Sequence, residues 1–190
     1  MYTILLTLAI LICFPGGISM DKIDYVDTFH VIIESVSKSK INSNVDPLLI
    51  ASIGLVESHY NPDALSSKGA MGVFQFTNIA IKHIEQMGYS FNPRDVRDAA
   101  IAAEIYFSYL LKHTSCVEEA LIAWNMGITA TMKLKLDEKD VDYTSVADMM
   151  SKGVYRESAN FVIKVMRAYK SIQEIYTKYA ESIIWWVTNR

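Results

Sequence analysis

Glu57 is the residue whose setting most invites chemistry. It follows nine residues, Leu48 to Val56, that read LLIASIGLV, and only Ser52 and Gly54 relieve their apolarity. A helix apolar on nearly all sides is a buried helix. A carboxyl at its end loses solvation, and desolvation favours the protonated form. A carboxylic acid that keeps its proton near neutral pH can serve as a general acid. The competing reading is an inert, exposed glutamate at a helix end, since charged residues are rarely buried. The next segment, SSKGAMGVFQF, spans residues 66–76 and flanks Ala70-Met71 with Gly69 and Gly72. Two glycines let a turn approach a helix or a ligand closely. Gln75 then offers a donor and an acceptor suited to a sugar hydroxyl or amide. A structural turn with a chance glutamine is the plainer alternative.

The elements around these residues are mostly helical. Apolar residues at 23, 26, 29, 32, 33 and 36 give a helical stripe over Asp21 to Lys40, and Asn42 to Asn44 makes a turn. Asp46-Pro47 reads as an N-cap and first helical residue, and that helix runs to about Ser58, stopped by Asn61-Pro62. Further helices are expected over Thr77 to Gln86, Asp95 to Lys112, Val117 to Asn125 and Glu157 to Tyr179. Lys133 to Tyr143 has charge and little period, as a loop or weak helix would. Val73 to Phe76 is the only extended candidate. The fold class is therefore mainly α, in one domain with at most a minor hairpin.

Composition narrows the function. The chain has 190 residues, 51% of them hydrophobic, enough for a real core. Its net charge of −3 argues against a nucleic-acid binder. The four histidines are scattered without metal-ligand spacing, so neither a metal nor another cofactor is expected. Thr3 to Phe14 is an apolar run of 12 residues ended by Pro15-Gly16-Gly17. Residues 1–19 therefore read as a signal peptide, although no lysine or arginine precedes the run. Its removal takes Cys13 and leaves the one thiol of Cys116, so that no intrachain disulfide is possible. An uncleaved anchor and a buried N-terminal helix are the alternatives. The domain is expected over 20–180, followed by an apolar tail over 181–190 in which Trp185 and Trp186 pack on the core, dock a partner or touch a membrane interface.

Three blocks in fixed order resemble the soluble-type lytic transglycosylases, which have a goose-lysozyme-like fold. The first is Glu57-Ser58, then Asn61-Pro62, then Ser66-Ser67-Lys68-Gly69-Ala70-Met71-Gly72-Val73-Phe74-Gln75. The second is Ala123-Trp124-Asn125-Met126-Gly127, and the third is Glu157-Ser158-Ala159-Asn160-Phe161-Val162. The resemblance covers roughly residues 40 to 170. It implies cleavage of the β-1,4 bond between N-acetylmuramic acid and N-acetylglucosamine in peptidoglycan, with Glu57 as acid and then base and a 1,6-anhydro product. It also implies that Ser58, Gln75, Ala123, Trp124, Asn125 and Glu157 bind or support the glycan. The family's second block carries a tyrosine whose hydroxyl helps hold the acid. Here Trp124 stands in its place, and an indole can only donate. Glu157 reads equally as a first-turn acid favoured by the helix dipole. A muramidase of the same fold and a non-catalytic wall-binding assembly protein are the rivals. Asp95, Asp98, Glu85 and Glu104 are available as a hydrolase's second carboxylate. The expected setting is a periplasmic or secreted monomer on glycan strands, with a secretion apparatus or phage tail as the partner assembly by analogy.

Overall fold

The computed structural model describes residues 21–41, 44–134 and 155–188. Seven helices follow in order: α1 (Asp21–Ser37), α2 (Pro47–Ser58), α3 (Asn78–Gln86), α4 (Val96–Lys112), α5 (Val117–Met126), α6 (Ile128–Lys133) and α7 (Arg156–Thr188). No sheet forms among the described residues. The architecture is the mainly helical, lysozyme-like arrangement that the sequence led us to expect.

Helix α2 is the hub, packing against α7, α1 and α4. Every residue from Leu49 to Leu55 is buried, which is why its composition lacks a polar face. The expected cap is present: Asp46 Oδ1 accepts from the Leu48 N–H at 2.8 Å, with Pro47 first in the helix. Asp46 Oδ2 also accepts from the Tyr169 hydroxyl at 2.6 Å, which ties the start of α2 to α7. The stripe on α1 buries Val26, Phe29, Ile32 and Val36, and the helix ends at Ser37 rather than Lys40. Helix α5 packs against α4, α6 and α7.

Four details differ from expectation. Helix α2 is ended by His59 and Tyr60, both left-handed (φ 54° and 62°), before Asn61-Pro62 is reached. Two consecutive non-glycine residues there cost roughly 1–2 kcal/mol each. Tyr60, only 2% exposed and edge-on to Phe29, offsets that cost by packing into the core. Val73 to Phe76 is not extended. Met71 and Phe76 bridge antiparallel, with a turn between them. Gly127 closes α5 and at once opens the short α6, an element the sequence did not point to. Helix α7 runs to Thr188, past Tyr179 and across the boundary at 180–181. The signal-peptide reading of residues 1–19 and most of the segment 133–143 lie outside the described residues, as do the tail's side chains.

Candidate active-site cleft

The loop after α2 folds back over the helix end by its own hydrogen bonds. Gly72 N–H donates to Ala64 O at 2.9 Å, and Ser66 N–H to Ala70 O at 2.9 Å. Met71 and Phe76 exchange backbone bonds of 3.0 and 2.9 Å. Val73, Phe74 and Phe76 are buried beneath the loop and anchor it. Ser58 fastens loop to helix, donating through Oγ to Val73 O at 2.8 Å and accepting from the Asn61 N–H at 3.0 Å.

Between this loop, α3, α4, α5 and the start of α7 lies a cleft of about 340 Å³. Glu57, Gln75, Trp124, Asn125 and Glu157 all line it. The chain thus brings residues 100 positions apart to one place. Ser58 does not line the cleft, and its hydroxyl is engaged with the loop backbone. Ala123 has no exposed surface, so it backs the wall rather than facing a ligand. Of the acids named as alternative second carboxylates, Asp95, Asp98, Glu85 and Glu104 are all absent from the lining, and Glu157 is present.

Glu57 is the electrostatic centre. Burial pushes its carboxyl up to about 7. The Trp124 bond opposes that rise, and the negative charge of Glu157 adds to it. The indole Nε1–H donates to Glu57 Oε1 at 2.9 Å. Trp124 is itself held among rings, with centroids 5.6 Å from Phe76, 5.4 Å from Tyr106 and 6.3 Å from Phe107.

Gln75 sits in the left-handed region (φ 49°), which its side chain secures. Its Nε2 donates to Gly72 O at 2.9 Å and to Ala64 O at 3.3 Å. Both partners are carbonyls, so only the NH₂ end can face them. The amide nitrogen is thus committed to the loop's own backbone. Asn125 Oδ1 accepts from Ser158 Oγ at 2.7 Å, which links α5 to α7 beside the cleft. Ser158 was not singled out in the sequence, although it stands beside Glu157. Tyr106, buried except for one edge, lines the cleft from α4. Lys68 lines it from the loop.

The arrangement suits a neutral, hydroxyl-rich polymer. It combines one carboxyl that keeps its proton near neutrality, an aromatic wall, and amide groups for hydrogen bonding. Among the described residues no group of three or more His, Cys, Asp or Glu is placed to hold a metal ion. Comparison with curated proteins yields no match. The family model for the transglycosylase SLT domain matches residues 34–146, a span that contains Glu57, Gln75, Trp124 and Asn125 and stops short of Glu157. With more than half of its length matched by that model, the chain belongs to the transglycosylase SLT family.

Proposed function

We propose that the chain is a peptidoglycan lytic transglycosylase in which Glu57 serves first as acid and then as base. The observation that carries this reading is a carboxyl set at the end of a buried helix, pushed up to about 7 by burial, inside a cleft that also presents Gln75 and Asn125. A group half protonated near neutrality can give and retake a proton with little penalty in either direction. Protonated Glu57 donates to the glycosidic oxygen between N-acetylmuramic acid and N-acetylglucosamine. The C1–O bond breaks and the N-acetylglucosamine end leaves as an alcohol. The Glu57 carboxylate then takes the proton of the muramoyl C6 hydroxyl, whose oxygen closes on C1. The 1,6-anhydro ring forms, no water is consumed, and the carboxyl is restored. The nucleophile belongs to the substrate, so proximity replaces a second enzyme carboxylate. The substrate places the enzyme on the wall side of the membrane, periplasmic or secreted.

Glu157 in the same cleft favours a second reading, a muramidase in which that carboxylate activates water. Mass spectrometry of muropeptides released from purified peptidoglycan separates the two. We expect anhydro-muramoyl ends. Reducing ends would instead make water the nucleophile. Glu157→Gln is the companion test. If Glu157 acts only through its charge, turnover persists and the alkaline fall in activity moves down by a few tenths of a pH unit, because the like charge that raises Glu57 is gone. A loss of turnover near 10²-fold or more would mark Glu157 as a base.

A further inference from the structure

The contact between Trp124 and Glu57 contains more information than its length. An indole has one N–H and no acceptor. Its bond to Oε1 therefore requires that oxygen to accept, whatever the protonation state of the carboxyl. In the ionised state Oε1 is half of a carboxylate. In the neutral state the carbonyl oxygen is the better acceptor of the two, so a donor fixed on Oε1 favours the form with the proton on Oε2. The rings of Phe76, Tyr106 and Phe107 hem in the indole and oppose its turning away. A tyrosine hydroxyl in this place would behave differently. It rotates, donating or accepting, and so tolerates the proton on either oxygen.

We propose that Trp124 is a positioning residue that biases the transferable proton of Glu57 toward Oε2, so that donation to the glycosidic oxygen and recovery from the C6 hydroxyl run mainly through that one atom. The proposal rests on the reading of Glu57 as acid and base. It is consistent with the direction of the indole's effect, which holds the Glu57 carboxyl lower than burial and Glu157 would leave it. A donor bonds a carboxylate oxygen more strongly than a carbonyl. The other titratable groups lining the cleft are Glu157 on α7, Tyr106 on α4 and Lys68 on the loop. None of them makes a hydrogen bond to Glu57 among the described residues.

The test is the indole N–H itself, followed by nitrogen-15 NMR. The chain has three tryptophans, and Trp124→Phe identifies the resonance of interest. We expect that resonance to titrate with a midpoint of about 7. It should stay protected from solvent exchange on both sides of the midpoint, and its titration should vanish in Glu57→Gln. In pH–rate profiles on purified peptidoglycan, Trp124→Phe should move the alkaline fall up by about one pH unit, because a bond favouring the ionised form is lost. A residue that merely fills space would lower the rate equally at every pH. Loss of N–H protection as Glu57 protonates would overturn the proposal, since Oε1 would then not be the acceptor in the neutral state. An indole that does not titrate, or a Trp124→Phe profile parallel to the wild type, would overturn it as well. Full turnover in Glu57→Gln would remove the acid/base reading, and the proposal with it, by a measurement independent of the indole.

Discussion

Glu57→Gln is expected to lower turnover on peptidoglycan by about 10³-fold or more while leaving glycan binding within a few-fold. General acid–base catalysis contributes about 10²–10⁴-fold, and here one group performs both proton transfers. Glutamine keeps the shape, and its carbonyl can still accept from the Trp124 indole. The same variant should be more stable than the wild type at alkaline pH. Glu57 has an ordinary pKa of 4.5 when unfolded and one of about 7 when folded. The folded chain therefore holds the proton more tightly, and the stability this confers is complete below pH 4.5. It is lost as pH rises through 7, by roughly 3 kcal/mol at about 1.4 kcal/mol per pH unit. Wild type should lose melting temperature between pH 5 and 8, and Glu57→Gln should lose less, ending about 5 °C or more above it at pH 8. Turnover separates the enzyme from a wall-binding protein of the same fold. An inactive wild type that binds glycan would favour the binding protein. Calorimetry at the two pH values tests the burial of Glu57 independently, and equal pH dependence in both proteins would refute it.

This coupling of burial to acidity was partly legible in the chain. The run from Leu48 to Val56 could only be a buried helix, and Glu57 at its end had to share that burial or escape it. Sequence could not choose between the two, because the choice depends on what closes over the helix end. The closing groups are Trp124 on α5 and the loop over Phe74, reached by long-range packing. Glu157 illustrates the same limit. Its position in the first turn of α7 explains an acid there without any ligand, and only the docking of α7 on α2 and α5 brings it to the cleft. Ser58 went the other way. The resemblance implied that it binds or supports the glycan, and its hydroxyl, one helical position or about 100° on from Glu57, meets the loop backbone. Val73 to Phe76 stood as the extended candidate because its buried residues, Val73, Phe74 and Phe76, are types that strands favour, and the chain turns there instead.

That turn should also be the place where one methyl group does most damage to the fold. A Cβ on Gly72 would stand 1.8 Å from the carbonyl oxygen of Pro93, and φ there is +74°. The obstacle is backbone, which cannot swing aside as a side chain does. Relief requires the loop to lift away from the 92–95 turn. Lifting it breaks the Gly72 N–H bond to Ala64 and displaces the Gly72 carbonyl on which Gln75 rests its amide. Gln75 would then lose what holds it at positive φ, and the cleft would lose that wall. Gly69 provides the control. It has φ +81°, but nothing lies within 4 Å of an added Cβ. Gly69→Ala should therefore cost only the conformational term, about 1 kcal/mol. Gly72→Ala should cost about 3 kcal/mol or more, as overpacking against a fixed neighbour adds to that term. Thermal melts of the two variants give the comparison directly, with Gly72→Ala falling by about 6 °C or more and Gly69→Ala by about 2–4 °C. Equal melting temperatures would mean that the loop does not seat on the Pro93 carbonyl. In Gly72→Ala, glycan affinity should fall along with turnover, unlike in Glu57→Gln. The two variants thus separate a cleft that has lost its wall from one that has lost its proton.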